Sequence, residues 1–550
     1  MYKHCLLPIL PLLPLLSCAL PLPAEWHGNS SRIHALLLAI SIGTVLLRCL
    51  RTKAGMQGIL EGVRWYPSVG LLLIFLTQGL PVACGRWNSE VFGHAWLGMF
   101  DNPAGLACFA CCLLAIESEN KARSKWGRLW HWTVVGMLTA IVLFSHSRTG
   151  VLAILLIAAI RLWQYRRLRW AVGLAAALCL VGLFQVKRDS TSGRRFILQN
   201  TWQLIRERPL TGWGWHGFER YYMPVQADYF KQHTEDTAHA WLADDVRHPM
   251  NEFLLWWVKF GIIGPVALGA LLLWPAAVKS KEKRVESIEK RVESKEKRVE
   301  SIDGASIDNK PISTPYSLLS TLLLFACLSY PLHYAFTWLF IGLAWLQVYK
   351  RREYKVEGKE KRVENIDGAS IDNKPISTLC SILSTLLIAY GTVSLLLSAR
   401  LMQAEGAAER HAHHRALRIY RQLAPVCQWN PYFLYSYVHE LYVTGQFEKA
   451  LAYAGRCGQY WSRYDLTLLE GDIHRQLQQY TEAEADYLFA SHMCPNRFAP
   501  LEGVLSIYET QGDSAAVIRT AQAIMQKPVK IQSPAVTEIK ARAQQYVYGN

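Results

Sequence analysis

Long apolar runs alternate with short polar stretches along the first 400 residues, whereas residues 401–550 are largely polar. A membrane-spanning helix needs about 20 mostly apolar residues. By that measure the sequence predicts eleven spans, at residues 5–22, 33–50, 66–84, 102–117, 129–146, 148–162, 170–186, 252–278, 316–330, 332–349 and 379–398. The first run also resembles a signal peptide, but another apolar run follows closely, so a retained helix is favoured.

The basic residues indicate how these spans are oriented. Lys and Arg cluster in the loops after the second, fourth and sixth spans, and such clusters mark the cytoplasmic side. With eleven spans the N-terminus is then cytoplasmic and the C-terminus lies on the outer side. The long loop 187–251 and the SHSRTG stretch at 145–150 also face outward.

Two charged inserts, at residues 279–315 and 350–378, interrupt the predicted membrane domain. The hexapeptide EKRVES repeats in the first insert with a period of seven, and a 20-residue block at 295–314 recurs at 359–378 with one change. The heptad spacing leaves a short helix or coiled-coil contact open. Duplicated, solvated cytoplasmic loops are the favoured interpretation, so catalysis is not expected to depend on them.

The polar tail carries a helical repeat pattern. The segment GDIHRQLQQYTEAEADYLFASHMCP has the tetratricopeptide spacing at Gly471, Ala483, Tyr487, Ala490 and Pro495. Such arrays stack into α-solenoids that bind partners. The sequence therefore predicts an all-α protein. A polytopic membrane bundle occupies residues 1–400, and a soluble tetratricopeptide-like domain occupies residues 401–550.

The net charge of +16 raises the question of nucleic-acid binding. Most Lys and Arg residues lie between apolar runs, where membrane topology accounts for them, so no nucleic-acid partner is expected. No Asp-x-Asp motif occurs in the predicted outer loops, and we expect no metal or other cofactor. The histidines His411, His413 and His414 are assigned to a solvated helix face rather than to a metal site.

Four polar clusters lie at the predicted outer face: FDNPAG at 100–105, SHSRTG at 145–150, the loop segment 191–230 and RHPMNEF at 247–253. Ionisable groups at membrane depth are costly, and they are therefore candidates for function. The loop segment is also rich in Trp, Tyr and Gly. Exposed aromatic rings can stack on sugars, and glycine lets the backbone approach a ligand.

The succession of SRTG, then SGR with PLTGWGWHGF, then HPMNEFLLWWVKFGIIG resembles the O-antigen ligase superfamily over roughly residues 85–350. That superfamily includes O-antigen ligases, O-antigen polymerases and protein O-oligosaccharyltransferases. The resemblance implies a GT-C-type membrane glycosyltransferase in the bacterial inner membrane. Such an enzyme moves a glycan from undecaprenyl pyrophosphate to an acceptor hydroxyl in the periplasm, without a nucleotide sugar or metal.

The leaving group in that reaction is a lipid pyrophosphate, which needs cations. Guanidinium groups bind phosphate oxygens in a bidentate fork and stay charged. Arg148 and Arg194 are the predicted catalytic arginines, with Arg195 and Lys187 as neighbouring binding residues. The alternative for Arg148 is a helix end anchored to lipid headgroups.

The attacking acceptor hydroxyl is helped by a base that titrates near neutrality, and His248 is the predicted general base. Asn251 and Glu252 follow within helical reach and are expected to bind substrate or orient the His248 ring. Capping or packing remains the alternative for His248. Glu252 has the alternative of stabilising the helix N-terminus electrostatically.

The remaining predicted substrate-binding residues are Asp101, Trp213, Trp215 and Tyr221. Asp101 has an alternative as a helix cap before Pro103. The three aromatic residues have an alternative as members of an interfacial aromatic belt.

Ligation of the glycan to lipid A–core is the leading hypothesis. Transfer to a protein Ser or Thr and polymerisation of the glycan are alternatives within the same class. A membrane scaffold or transporter with a partner-binding tail is the alternative from another class. The expected partners are the lipid-linked donor, a lipid or protein acceptor, the bilayer, and a protein bound by the tail.

Overall fold

The computed structural model is helical and contains no strand in the part that it describes. That part comprises residues 15, 37, 40–44, 62–76, 100, 102–120, 124–162, 188–273, 314–348 and 374–548. The all-α class predicted from the sequence is confirmed for these residues. The predicted spans 5–22, 33–50 and 170–186, and nearly all of both charged inserts, lie wholly or mostly outside them.

The chain divides into two compact units. The first unit comprises residues 1–186 and 266–396, and the second comprises residues 187–265 and 397–550. A long helix runs from Lys374 to Glu409.

The first unit is built around a helix rich in small residues. Its described helices are α1 (Tyr66–Ile74), α2 (Pro103–Glu117), α3 (Lys125–Phe144) and α4 (Arg148–Leu162). All but the first residue of α2 are buried, and its Ala, Gly and Cys residues let neighbouring helices approach closely. A Cβ on Gly105, for instance, would lie 2.5 Å from the Tyr334 ring. The buried Glu117 carboxylate pairs with His131 at 2.8 Å.

Two described helices, Lys125–Phe144 and Ser384–Glu409, have the length and apolar composition needed to cross a bilayer. Five further apolar helices are shorter: Val63–Ile74, Pro103–Glu117, Ile263–Leu273, Tyr316–Leu328 and Ala335–Val348. A 3-10 turn at Pro331–His333 separates the last two, where Pro331 predicts a turn. The count of eleven spans stays a prediction.

The second unit contains the outer loop and the tail together. The loop forms α5 (Arg188–Glu207), α6 (Gly217–Gln232), α7 (Thr237–Leu242) and α8 (Glu252–Phe260). The predicted span 252–278 is therefore not one continuous helix. It breaks at Gly261, whose φ of 62° ends α8, and a separate helix follows at Ile263–Leu273.

The tail folds into successive packed helices. They are α9 (His413–Cys427), α10 (Pro431–Val443), α11 (Phe447–Gly458), α12 (Tyr464–Gln476), α13 (Tyr480–Met493), α14 (Ala499–Gln511), α15 (Ser514–Gln526) and α16 (Pro534–Tyr548). The predicted helical hairpin corresponds to α12 and α13. Its buried Tyr487 ring lies where a Cβ on Gly471 or Gly503 would collide with it, at 2.8 and 2.5 Å. The tetratricopeptide assignment stays a prediction.

Helices of the loop and of the tail share one hydrophobic core. Phe218 and Tyr222 of α6 pack with Ala490 and Met493 of α13. The Gln226 side-chain amide donates a buried hydrogen bond to the Met493 carbonyl oxygen at 2.7 Å. Burial of large aromatic side chains stabilises such contacts by about 1.5–3 kcal/mol each. The loop is therefore packed against the tail.

Candidate functional site

The motifs PLTGWGWHGF and HPMNEFLLWWVKFGIIG meet in one hydrogen-bonded structure within the second unit. The turn 209–214, from PLTGWGWHGF, lies against the C-terminal end of α8. Three backbone N–H groups, those of Trp213, Gly214 and Ile262, donate to the carbonyl oxygens of Val258, Lys259 and Pro209 at 2.7, 2.9 and 3.0 Å. These bonds fix the position of α8, and with it the helix start that follows His248.

Glycine is required at this contact because the two backbones nearly touch. A Cβ on Gly261 would lie 1.9 Å from the Leu210 carbonyl oxygen, and a Cβ on Gly212 would lie 2.5 Å from the Gly261 nitrogen. Both residues also have positive φ angles, 62° and 67°, which side chains with a Cβ rarely adopt. The spacing of glycines in the two motifs is thus explained by close backbone packing.

The three aromatic residues predicted to bind substrate differ in exposure. The Trp213 indole N–H donates to the Leu204 carbonyl oxygen at 2.9 Å, and its ring packs 4.3 Å from the half-buried Tyr221 ring. Trp215 is 68% exposed, and the Lys259 ammonium lies 5.5 Å from its ring centre. Trp213 therefore packs the turn, whereas Trp215 presents an open ring beside a cation.

His248 lies half-buried in a segment without helix or strand, residues 243–251, which we call the strap. The strap ends at Met250, whose φ is 56°, and at Asn251, whose side chain accepts a hydrogen bond from the Leu254 N–H at 3.1 Å. Asn251 is thus the N-cap of α8. Glu252 is the first residue of α8 and is only 2% exposed. A carboxylate at this position is favoured by the helix dipole. The orientation of the His248 ring by Asn251 or Glu252 stays a prediction.

Arg194 and Arg195 lie side by side on α5, and both are exposed. The next residue, Phe196, is buried against the Phe230 ring at 5.3 Å and stacks on the His239 ring at 5.0 Å. This anchor fixes the face of α5 that carries the two arginines. Helix α5 also packs against α7 and α8, which flank the strap.

Arg148 is the first residue of α4, and it lies half-buried in the first unit. The preceding Ser147 caps that helix, because its hydroxyl oxygen accepts a hydrogen bond from the Gly150 N–H at 3.2 Å. His146 has a φ of 52° at the turn from α3 into α4. The SHSRTG motif is therefore a tight helix–turn–helix connection. Arg194 and His248 belong to the second unit.

Two predicted binding residues, Lys187 and Asp101, lie outside the described residues. The side chain that caps α2 is that of Asn102, which accepts a hydrogen bond from the Ala104 N–H at 2.8 Å. Within the described ranges, no three His, Cys, Asp or Glu side chains are grouped to hold a metal ion. His413 instead pairs with the buried Glu440 carboxylate at 3.1 Å.

An ion pair between Lys259 and Glu219, with 2.7 Å between Nζ and Oε1, was not predicted from the sequence. It joins α8 to α6 beside the exposed Trp215. The available signal was Lys259 itself, a lone charge inside the apolar run FLLWWVKFGIIG. Such a charge needs a partner when it is partly buried.

Comparison with known proteins gives one match. Residues 132–269 match the family model described as O-Antigen ligase. No curated protein and no solved structure matches the chain. The match supports a resemblance to the O-antigen ligase superfamily, a family of membrane glycan transferases of the ligase or polymerase kind that act on a lipid-linked glycan and an acceptor.

Proposed function

We propose that this protein transfers an undecaprenyl-pyrophosphate-linked oligosaccharide to a hydroxyl group of lipid A–core, on the periplasmic face of the inner membrane. The O-antigen ligase match across residues 132–269 carries this proposal, because that range contains Arg148, Arg194 and His248. The hydrogen-bonded contact between turn 209–214 and α8 supports it, since it gives the segment after His248 a fixed position.

In the proposed reaction, the His248 imidazole accepts the proton of the acceptor hydroxyl as its oxygen attacks the anomeric carbon of the donor. The bond between that carbon and the pyrophosphate oxygen breaks. Its electron pair leaves with undecaprenyl pyrophosphate, and the configuration at the anomeric carbon inverts. Histidine suits this step because its ordinary pKa is about 6.5, close to the working pH.

The arginines provide the electrostatic part of the mechanism. Negative charge grows on the pyrophosphate as its bond to the sugar breaks, and charged hydrogen-bond donors stabilise it most where they are already in place. Arg148 and Arg194 are proposed to contact the pyrophosphate, with Arg195 beside them. The open ring of Trp215, next to Lys259, is proposed as a platform for a donor sugar.

The packing of the loop against the tail supports a periplasmic tail. Segments that share one hydrophobic core lie on the same side of a membrane, so the tail takes the side of the loop. Four predicted apolar runs separate them: the part of 252–278 that follows Gly261, then 316–330, 332–349 and 379–398. An even number of crossings returns the chain to the same side of the membrane. Helix α8 does not change this count, because it belongs to the second unit and the crossing begins after it.

A deletion strain distinguishes the acceptors. Loss of long-chain lipopolysaccharide on a gel, with core lipid and a glycoprotein blot unchanged, is the result expected for ligation to lipid A–core. A changed glycoprotein blot with a normal gel would assign the protein as a protein O-oligosaccharyltransferase. Single repeat units on lipid A–core would assign a polymerase. No change in any glycan would support the scaffold or transporter alternative.

A further inference from the structure

The strap that carries His248 has no helix or strand to fix its conformation. Residues 243–249 form no helix or strand, and a backbone hydrogen bond to a helix holds them only at their start, where the Ala243 N–H donates to the His239 carbonyl oxygen at 2.8 Å. A catalytic group must nevertheless be held within a fraction of an ångström of its working position. The source of that order lies in the side chains that contact the strap.

Three of these side chains come from the tail. The Asn496 amide donates to the Ala243 carbonyl oxygen at 2.7 Å. The Arg497 guanidinium donates to the Asp244 carboxylate at 2.7 Å. The third, Arg463, donates to the Asp245 carboxylate. All three contacts fall within the five residues that precede His248.

A fourth side chain joins the strap to the tail through the loop itself. The Gln226 amide donates both to the Asp244 carbonyl oxygen, at 3.1 Å, and to the Met493 carbonyl oxygen, at 2.7 Å. One amide group on α6 therefore links the strap to the end of α13. A rearrangement of the tail would therefore disturb both the direct contacts of the strap and its contact with Gln226.

Of the two ion pairs between the strap and the tail, that of Arg463 and Asp245 is the more buried, with side chains 8% and 11% exposed. Burial lowers the pKa of Arg463, as expected when a charged group is removed from water. The buried atoms Arg463 Nε and Asp245 Oδ1 have no hydrogen-bond partner within the described residues. A buried, incompletely bonded ion pair contributes little net stability, so a positional role accounts for it better.

The Arg463 side chain is also held in place by contacts within the tail. Its guanidinium lies 4.6 Å from the centre of the Trp461 ring, and its backbone forms the N-cap of α12. The charge is therefore presented from a rigid helix end. This is the geometry expected of a residue that fixes the position of another segment.

We infer that Arg463, Asn496 and Arg497 are positioning residues that hold the strap, so that the tail forms part of the transferase site and is required for turnover. The inference rests on the proposed function for the role of His248. It extends the function of the tail beyond the binding of a partner protein. The tail acts on the reaction through His248 and does not touch the substrate in this scheme.

The test compares Arg463→Met with Arg542→Met in the full-length protein. Arg542 also forms an ion pair within the tail, with Glu509, but contacts no part of the strap. Amide hydrogen exchange of residues 243–250 reports the order of the strap without reference to activity. Transfer is measured with native donor and acceptor extracted from the deletion strain, at varied donor concentration.

We expect Arg463→Met to raise exchange in the strap by about tenfold, because local opening then needs less free energy. We expect its kcat to fall by about tenfold or more, with the donor KM within about twofold of wild type. Arg463→Lys should bring both the exchange of the strap and kcat partly back towards wild type. Arg542→Met should change neither the exchange nor kcat. Asn496→Ala removes the hydrogen bonds of the Asn496 amide to the Ala243 and Trp241 carbonyl oxygens and should show the same pattern more weakly. This variant tests the inference if Arg463→Met does not fold.

Unchanged exchange in Arg463→Met and Asn496→Ala would overturn the inference, as would faster exchange with normal turnover. A loss of turnover shared by Arg542→Met would also overturn it, since the effect would then be general to the tail. The failure of the proposed function looks different. In that case His248→Ala keeps full activity, whatever the exchange of the strap.

Discussion

Gly261 and Leu210 lie in direct backbone contact: a Cβ on Gly261 would stand 1.9 Å from the Leu210 carbonyl oxygen. This contact joins the C-terminal end of α8 to the turn 209–214, although the two segments are about 50 residues apart. The turn cannot move without α8.

The first prediction is that Gly261→Ala destabilises the second unit by at least about 2 kcal/mol, because the new methyl group meets backbone and the φ of 62° is strained. Gly269→Ala is the matched control, since a Cβ on Gly269 meets nothing within 4 Å. Thermal unfolding of the purified protein measures both. An unchanged melting temperature in Gly261→Ala would mean that the two segments can separate freely.

The contact between Gly261 and Leu210 shows which features of the fold could be predicted from the sequence and which could not. Apolar runs and cap residues predict helices, because those signals are local. The PLTGWGWHGF and HPMNEF motifs also locate the candidate site. The division of the span 252–278 at Gly261 depends instead on the backbone of Leu210, which no local pattern reveals. A glycine in an apolar run reads equally well as part of a continuous helix.

The packing of the tail against the loop was harder still to predict. Gln226 and Met493 look like ordinary helix residues, yet the amide of one bonds the carbonyl oxygen of the other. Arg463 and Asp245 each look like solvated surface charges. Only the tertiary arrangement makes them partners. Pairing over such a separation leaves no periodic signal in a single sequence.

The second prediction concerns the general base. His248→Ala should lower turnover by about 10²–10⁴, since proton transfer in the transition state contributes that much. Donor binding and the melting temperature should stay near wild type. His233→Ala is the control, because His233 is an exposed histidine of the same unit. Full activity of purified His248→Ala would remove His248 from the mechanism.

The third prediction separates charge from geometry in pyrophosphate binding. Arg148→Lys keeps the charge but loses the planar fork, so turnover should fall clearly. Arg161→Lys, at the other end of α4, keeps a cation beside Glu119 and should be active. Arg194→Ala should weaken both donor binding and turnover. If Arg148→Lys and Arg194→Ala both complement the deletion strain at normal expression, these arginines are lipid anchors.

The fourth prediction is a pH dependence of the stability of the tail. Burial, and then the charge of Asp486, raise the pKa of Glu470 from its ordinary 4.5 to about 7. A raised acid pKa means that the folded state holds a proton that the unfolded state has lost. Stability therefore falls as pH rises from about 4.5 through 7.

Glu470→Gln should remove that part of the pH dependence. Above pH 7 it should stabilise the tail, by at most about 3 kcal/mol, and near pH 4.5 it should have little effect. Glu448→Gln, an exposed position on α11, is the control. Melting temperatures of the full-length protein at pH 5 and pH 8 measure the difference. An equal effect of Glu470→Gln at both pH values would contradict the prediction.

The fifth prediction concerns topology, on which the mechanism depends. An undecaprenyl-linked donor is displayed in the periplasm, so the loop and the tail must both lie there. Exposed positions are needed for labelling, and Gln232 in the loop and Gln479 in the tail meet that need. Gln232→Cys and Gln479→Cys should react with an impermeant maleimide in intact spheroplasts. Lys290→Cys, in the first charged insert, should react only after lysis.

Because the loop and the tail share one hydrophobic core, the two labelled positions are not independent: both must lie on the same side of the membrane. Tyr222 of the loop and Met493 of the tail pack together, so positions 232 and 479 must give the same answer. Labelling is done in a cysteine-free background, because the native Cys327 is exposed. Different answers at the two positions would contradict the packing itself. Protection of both would put His248 and Arg194 on the wrong side of the membrane for the proposed donor.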